Sequence, residues 1–321
     1  MTTLVTVFGG SGFLGRYVVR ALARAGYRIR VGVRRPNLAN FLLPMGNVGQ
    51  IQLLRTDVAD ADSVARAMTG ATAAINLVGI LYESGRQTFQ RLHADASATI
   101  AASARAEGVT AFVHVSALGA SAQSPSLYAR TKAEGEMRLR EAFSAAVILR
   151  PSIVFGPEDD FFNRFAALAR LSPALPLIGG GHTRFQPVYV GDIARAITTC
   201  MADPATQGRV YELGGPRVYT FRELMQLVLA ETKRRRFLVP LPFSVAMMKA
   251  SILGLLPKPM LTRDQVLLLK QDNVVAAGAA TLSDLEIEPE TVEAIIPAYL
   301  WRFRREGQFD APPREPISAP R

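Results

Sequence analysis

In the first half of the chain, short apolar runs alternate with longer stretches in which apolar residues recur at helical spacing. The predicted strands are residues 4–8, 29–33, 51–54, 73–78, 111–115 and 146–149, and the predicted helices are 13–25, 62–68, 89–107 and 127–142. Several of the strands are continuous apolar runs, which is typical of strands covered on both faces. The alternation predicts right-handed βαβ units and therefore an α/β fold with a doubly wound parallel sheet.

The pattern changes after Pro151. Prolines at 151, 157, 173, 176 and 187 and a glycine triplet at 179–181 predict loops, and helices return at 190–201, 220–231, 262–270 and 290–305. We therefore predict an α/β domain over residues 1–157 and a smaller, mostly helical C-terminal domain over residues 158–321. The Pro-rich tail from Ala311 is expected to be flexible.

The first predicted strand runs directly into a glycine-rich turn, which a helix follows at once. Gly9 permits the tight turn, Gly12 lets the backbone approach a pyrophosphate, and Gly15 allows close packing of helix and strand. The N–H groups of Phe13 and Leu14 then point at the phosphates from the positive end of the helix. A turn that serves only packing is the alternative, but the strand before it and the helix after it favour a dinucleotide site.

The second predicted strand ends in Arg34-Arg35. NAD-specific sites usually carry an acidic residue there, which holds the ribose 2′-OH. Two guanidinium groups can instead pair with a 2′-phosphate, which a carboxylate would repel. The pair predicts NADPH (NADP) rather than NAD, and a solvated surface pair is the alternative.

Asp57-Val58 follows the third predicted strand, at a position suited to holding the adenine. Asp57 would contribute its carboxylate, and Val58 its backbone and an apolar contact. From local sequence alone, Asp57 could equally cap the helix that follows.

The candidate catalytic residues are Ser116, Tyr128 and Lys132. Ser116 comes at the end of the fifth predicted strand, and Tyr128 and Lys132 share one face of the next helix. A nearby ammonium lowers the pKa of a phenol, so Tyr128 could exchange a proton with a carbonyl or carbinol oxygen during hydride transfer. Ser116 would hydrogen-bond the same oxygen. A surface Tyr and Lys on an amphipathic helix is the alternative.

Together these motifs resemble the extended and atypical short-chain dehydrogenase/reductase superfamily, over roughly residues 1–230. The resemblance implies a Rossmann fold with an interleaved C-terminal domain. It also implies nucleotide contacts at Leu77, Val78, Gly79, Lys132 and the segment that begins at Pro151. Active members carry an Asn of a proton relay where this chain has His93, so His93 is not counted among the catalytic candidates.

A closer resemblance is to the nucleotide-binding accessory subunits of respiratory complex I (NADH:ubiquinone oxidoreductase) and their bacterial relatives. It rests on the segments 9–16, 112–116, 132–136, 155–163 and 186–190 and on the strand-end Arg pair. It implies NADPH held as a structural cofactor and membrane-bound complex I subunits as partners. It also implies a peripheral location on the cytoplasmic or mitochondrial matrix side of the inner membrane. An active NADP-dependent reductase or epimerase that uses Tyr128 as acid/base is one alternative, and a nucleotide-sensing regulator is another.

Residues 233–259 combine four consecutive basic residues with a long apolar run. Pro242 is placed to open a helix that Gly254 and Pro257 close, and this helix is too short to span a bilayer. It is apolar almost all round, so it must be buried in its own fold, in a partner, or in a membrane interface. Anionic headgroups suit the basic residues, although a helix closing over the active site fits the composition equally well. The resemblance favours a contact with complex I or an anionic membrane.

Composition narrows the remaining possibilities. The chain has 321 residues, 49% of them hydrophobic, and a net charge of +10, with seven Lys/Arg and no acidic residue between positions 232 and 263. The single cysteine, Cys200, excludes a disulfide scaffold, and three widely spaced histidines predict no metal site. No secretory signal is expected, because no basic segment precedes an apolar stretch at the start. We expect no nucleic-acid partner, because no aromatic stacking platform accompanies the basic residues.

Overall fold

A computed structural model describes residues 3–254, 256 and 259–310 of the chain. Its strands are β1 Leu4–Phe8, β2 Arg28–Val33, β3 Ile51–Arg55, β4 Ala73–Asn76, β5 Ala111–Val115, β6 Val147–Pro151, β7 Val154–Phe155, β8 Ala174–Ile178, β9 Arg184–Phe185, β10 Val188–Tyr189, β11 Val210–Leu213, β12 Tyr219–Thr220 and β13 Phe237–Leu241. Its α-helices are α1 Phe13–Arg24, α2 Ala61–Met68, α3 Ala96–Ala106, α4 Leu127–Ala142, α5 Phe162–Leu171, α6 Val190–Ala202, α7 Phe221–Glu231, α8 Phe243–Leu253, α9 Arg263–Leu268, α10 Val292–Ile295 and α11 Pro297–Leu300.

The central sheet is parallel throughout, in the strand order β3-β2-β1-β4-β5-β6-β11. Alternate residues of β1 point to opposite faces: Val5 and Val7 join a core with α1 and α6, whereas Phe8 joins a core with α2, α3 and α4. Both faces of the sheet are therefore covered, as the continuous apolar strands require. The predicted doubly wound Rossmann fold is confirmed.

The chain after residue 157 contributes to both halves of the molecule. α6 packs against α1, and β11 pairs with β6 at the edge of the central sheet. The other elements build a second core around α5, α7, α10 and α11, rich in phenylalanine, and β8 pairs with β13 beside it. The chain therefore leaves the central sheet, returns to it and leaves it again.

Some predicted boundaries differ from the structure. β4 ends at Asn76 rather than 78, because the side chain of Asn76 accepts a hydrogen bond from the N–H of Val78 (3.0 Å) and turns the chain away. The predicted helix 89–107 begins with a π-helical turn, Gln90–Asp95. The predicted helix 290–305 is broken into α10, α11 and a 3₁₀ turn, since Pro297 has no N–H for the helical ladder.

α8 forms as predicted and lies on the surface. Only Ala246 and Ala250 are buried, against α9 and Ile178, whereas Met248 and Ile252 are 61% and 67% exposed. The helix is therefore not enclosed by its own fold. Within the described part of the chain, no helix is long and apolar enough to cross a membrane.

The basic run before β13 is only partly available to a partner. The Nε of Arg234 donates to the carbonyl of Phe303 (3.0 Å), and that of Arg236 donates to the carbonyl of Ala169 (2.8 Å). Two of the four basic residues therefore hold the chain's own backbone through Nε, and the contact of this run with anionic headgroups stays a prediction. Residues 255, 257 and 258 of the 233–259 block, and the predicted flexible tail from Ala311, lie outside the described residues.

Candidate functional site

The strand order reverses between β1 and β4, so the carboxyl ends of these two strands open a crevice. The glycine-rich turn follows β1, and residues 77–79 follow β4 on the other side. Gly9 has a φ of +80°, and a Cβ built there would lie 3.0 Å from the carbonyl carbon of Leu77. The turn and the segment after β4 therefore pack against each other in a way that only glycine allows.

The glycines of the turn have different neighbours. A Cβ on Gly15 would lie 2.5 Å from the backbone of Gly10, so Gly15 is required by close packing of α1 on the turn. A Cβ on Gly12 would meet only the carbonyl oxygen of Gly9, at 3.3 Å, so its other side is open. Gly12 is also the N-cap of α1 and offers no side-chain cap to the first turn. The N–H groups of Phe13 and Leu14 therefore lie in the uncapped first turn of α1, beside an open face that is suited to an anion.

Arg34 and Arg35 lie directly after β2, the strand next to β1. Both side chains are exposed, and neither has a hydrogen bond or an ion pair within the described residues. Two guanidinium groups are therefore available at the edge of the crevice for an anionic group of a ligand.

Asp57 and Val58 follow β3 at the same edge of the sheet. The carboxylate of Asp57 accepts from the N–H of Ala59 (3.0 Å), whereas the cap of α2 is Asp60, which accepts from the N–H of Asp62 (3.1 Å). The alternative role of Asp57 as the helix cap is therefore wrong. Asp57 is exposed and Val58 is half-buried, so both can face a ligand at the end of the sheet.

Ser116 and Lys132 lie on the other side of the crevice, where Lys132 contacts Val115, the residue before Ser116. The hydroxyl of Ser116 is buried and has no hydrogen-bond partner in the described structure. Lys132 is buried as well; its Nζ donates to the carbonyl of Val115 (3.3 Å), and a Cβ on Gly79 would lie 3.3 Å from that Nζ. An unsatisfied hydroxyl and an ammonium with donors to spare fit a ligand rich in hydroxyl and carbonyl oxygens. Pro151 ends β6, the strand beside β5, and its carbonyl accepts from the N–H of Leu118, two residues after Ser116 (2.9 Å).

The electrostatics of the Tyr–Lys pair differ from the prediction. Burial lowers the pKa of Lys132 to about 8. Burial, and then the negative charge of Asp264, raise the pKa of Tyr128 to about 12. The expectation that Lys132 lowers the pKa of Tyr128 is therefore wrong for this structure, since desolvation and a carboxylate both disfavour the tyrosinate.

His93, in the π-helical turn, lies against Tyr128 with ring centroids 5.2 Å apart and the rings nearly perpendicular. Its Nε2 accepts from the N–H of Ile80 (3.1 Å), which leaves Nδ1 as the donor to the hydroxyl of Thr131 (3.2 Å). Burial lowers the pKa of His93 to about 2, so the ring is neutral at physiological pH. With both nitrogens engaged, His93 supports the position of Tyr128.

The sequence prediction missed Asp264. This carboxylate, on α9, accepts three hydrogen bonds from the start of α4, the helix that carries Tyr128 and Lys132. The only local signal is the capping box of Thr262 and Gln265, which predicts the start of α9 but not what Asp264 contacts. Among the described residues, no group of three or more His, Cys, Asp or Glu could hold a metal ion.

Residues 5–214 match the family model described as "NAD dependent epimerase/dehydratase family". The chain belongs to this family. The matched region includes the glycine turn, the Arg pair and the Ser–Tyr–Lys set. It runs from the second residue of β1 to Gly214, one residue after β11, so it takes in all seven strands of the central sheet except Leu4.

Three curated relatives extend the comparison. The chain is 35% identical over 316 residues to "NADH dehydrogenase [ubiquinone] 1 alpha subcomplex subunit 9, mitochondrial" of Arabidopsis thaliana, with 95% of this chain and 79% of that protein covered. It is 36% identical to the protein of the same name from Mus musculus, with coverages of 90% and 78%. It is 32% identical to "Ceramide reductase" of Caulobacter vibrioides, with coverages of 70% and 68%.

Solved structures share the fold at lower identity. The dTDP-glucose 4,6-dehydratase DesIV of Streptomyces venezuelae, with NAD and TYD bound, has a TM-score of 0.71 at 21% identity, with 96% of this chain and 98% of that chain covered. The NADPH-dependent quinone oxidoreductase QOR2 of Escherichia coli, complexed with NADPH, has a TM-score of 0.69 at 22% identity, with coverages of 89% and 96%. These likenesses support the Rossmann architecture of the family.

Proposed function

We propose that this epimerase/dehydratase-family protein binds NADP(H), mainly as a structural cofactor, and is an accessory or assembly subunit of respiratory complex I. One observation carries the complex I assignment: the two complex I relatives align over 90–95% of the chain. The family match itself stops at residue 214. The likeness to complex I subunits therefore includes the C-terminal helices, where a partner would be recognised.

The crevice offers a contact for each part of a nicotinamide dinucleotide. The open face at Gly12 and the N–H groups of Phe13 and Leu14 would take the pyrophosphate, and Arg34 and Arg35 the 2′-phosphate. The remaining contacts are Asp57 and Val58 at the adenine, and Leu77, Val78, Gly79, Lys132 and Pro151 toward the nicotinamide end. When bound, the nicotinamide nucleotide supplies hydride-transfer chemistry.

Two observations support a mainly structural role of the nucleotide. The predicted contacts lie at or just after the ends of β1, β2, β3, β4 and β6, and on α4, so one ligand would tie together most of the central sheet. Tyr128 is also poised to keep its proton, because burial and the charge of Asp264 raise its pKa to about 12. A nucleotide present at 100 times its Kd would stabilise the native state by about 2.7 kcal/mol, so bound nucleotide alone can support the fold without any turnover.

We further propose that α8 and the rest of the 233–259 block contact complex I subunits or an anionic membrane surface, from a peripheral position on the cytoplasmic or matrix side. Met248 and Ile252 form an exposed apolar pair on α8, with Lys249 exposed beside them. Phe237 and Val239 of β13 are exposed as well. Apolar side chains next to a cation are typical of helices that lie on a partner or in a membrane interface.

The double substitution Met248→Glu/Ile252→Glu is expected to abolish co-migration of the protein with complex I on native gels of solubilised membranes, because two charges would have to be buried in the contact. Met137→Glu is the matched control, since Met137 is an exposed methionine on another helix, α4. Unchanged co-migration of the double variant would contradict the docking role of α8.

Vesicle flotation distinguishes the two partners. Binding to anionic vesicles at low salt that is lost at about 0.5 M salt would identify lipid as the partner of α8. Co-migration with complex I without any flotation would identify protein subunits.

An active NADP-dependent reductase or epimerase is the second candidate. The buried, unpartnered hydroxyl of Ser116, one residue after the carbonyl that Lys132 contacts, favours it, and one relative is named as a reductase. If it is correct, Tyr128→Phe lowers hydride transfer from NADPH to a carbonyl substrate by about 10²–10⁴-fold, the usual contribution of a general acid. Tyr27→Phe, at the far end of β2, is the control. We expect negligible turnover in the wild-type protein, and robust turnover lost only in Tyr128→Phe would favour the enzyme over the structural role.

A further inference from the structure

Asp264, on α9, closes the start of α4 from 137 residues further along the chain. Its Oδ1 accepts from the N–H of Leu127 (2.6 Å), and its Oδ2 accepts from the hydroxyl of Ser126 (2.7 Å) and the N–H of Tyr128 (3.3 Å). Ser126 is itself the N-cap of α4 and accepts from the N–H of Ala129 (3.2 Å). The N–H groups of three successive residues at the start of the helix thus have acceptors.

This arrangement fixes the direction of each hydrogen bond. The first N–H groups of a helix have no partner within the helix, and a negative charge at that end interacts favourably with the helix dipole. Because the hydroxyl proton of Ser126 is donated to Asp264, its lone pair is left to receive the N–H of Ala129. Loss of the carboxylate therefore disturbs the local cap as well as its own three bonds.

Asp264 is in turn held by the C-terminal part of the molecule. The capping box of Thr262 and Gln265 fixes the first turn of α9. Val266 of α9 packs in one apolar cluster with Ala246 and Ala250 of α8. A continuous series of packed elements therefore runs from the exposed side of α8, through α9 and Asp264, to Tyr128.

We infer that Asp264 is a positioning residue for the nucleotide site, holding the helix of Tyr128 and Lys132 in place and joining that site to α8. The inference rests on the proposed function in one respect, namely that the Tyr128–Lys132 helix borders the nucleotide. Through Asp264, the C-terminal part of the chain helps to position the residues of that site. Three groups face or adjoin Tyr128: the carboxylate of Asp264 from α9, the neutral ring of His93 from the π-helical turn, and Lys132 on α4 itself.

The test uses ¹³C NMR of the full chain with tyrosine labelled at Cζ, and Tyr128→Phe assigns the resonance. Asp264→Asn is expected to lower the pKa of Tyr128 by about one unit, because a negative charge near the phenol is removed. It should also speed amide hydrogen exchange at Leu127 and Tyr128 and weaken NADPH binding about tenfold, as one to two hydrogen bonds are lost. A role in stability alone would leave the NADPH affinity of the folded variant unchanged.

Asp272→Asn is the matched control. Asp272 is an exposed carboxylate eight residues after Asp264, and it forms an ion pair with Arg184 rather than with α4. If Asp264→Asn does not fold, Ser126→Ala serves instead: it should speed exchange at Ala129 and leave the pKa of Tyr128 nearly unchanged, since the carboxylate remains. Two results would overturn the inference. One is a Tyr128 pKa and amide exchange rates in Asp264→Asn that equal those of the wild type, and the other is an unchanged exchange rate at Ala129 in Ser126→Ala. Failure of the wild-type protein to bind NADPH would instead overturn the proposed function, and the NMR result would stand apart from it.

Discussion

Replacing both Arg34 and Arg35 by alanine is expected to weaken NADPH binding by about 100-fold and to leave NADH binding nearly unchanged. Both guanidinium groups lie exposed at the end of β2, without partners in the described structure. A hydrogen bond to a charged group contributes about 1.5–3 kcal/mol, and solvent exposure places these two at the lower end. Two such contacts correspond to about 3 kcal/mol, and because every 1.4 kcal/mol is a factor of ten, the expected loss is about 100-fold.

Isothermal titration of both reduced nucleotides, with wild type and variant, measures this difference. Arg28→Ala is the control, because Arg28 is an exposed arginine at the opposite end of the same strand. Equal losses of affinity for NADPH and NADH would show that the two arginines support the fold or the shared part of the nucleotide, rather than the 2′-phosphate. Unchanged NADPH affinity would contradict the assignment of the 2′-phosphate to this pair.

Gly12→Ala and Gly15→Ala are expected to separate binding from folding. The methyl group of Gly12→Ala would meet only one backbone oxygen and would occupy the open face of the turn, so folding should be retained. NADPH affinity should fall at least about tenfold, because the pyrophosphate loses its close approach to the backbone and with it about one charge-assisted hydrogen bond. In Gly15→Ala, the methyl group would lie 2.5 Å from the backbone of Gly10, so the turn itself must move.

Thermal unfolding with and without NADPH distinguishes the two variants. Without nucleotide, Gly12→Ala should unfold at the same temperature as the wild type. Added NADPH should raise its unfolding temperature by less than it raises that of the wild type. Gly15→Ala should unfold at a lower temperature under both conditions, since overpacking typically costs about 1–3 kcal/mol. A Gly12→Ala variant that binds NADPH as tightly as wild type would place the pyrophosphate elsewhere.

The sequence was sufficient where the information is local. Periodicity predicted the bounds of β1 and α4 to the residue. The glycine spacing predicted where the turn after β1 bends and where its backbone stays open to a ligand. Both signals depend on neighbours a few positions apart, which a single sequence displays. The meeting of the ends of β1 and β4 is what the resemblance to Rossmann-fold proteins implies, since the strand order of that fold reverses between these two strands.

The parts that were missed depend on distant contacts. Asp264 reaches the start of α4 across 137 residues, and no pattern around it indicates that partner. The raised pKa of Tyr128 has the same origin, because burial and a carboxylate from another helix outweigh the Lys expected to act on it. α5 was missed because prolines on either side of it suggested loops, although its own apolar residues recur at helical spacing.

The most direct test of the account is mass spectrometry of the nucleotide released from the gently purified, full-length protein. We predict close to one equivalent of NADP(H) per chain, because a structural cofactor held by the loops of five strands should survive purification. The same preparation should show negligible NADPH turnover. NAD(H) in place of NADP(H), or a folded and stable protein that contains no nucleotide and gains no stability from added NADPH, would contradict the account.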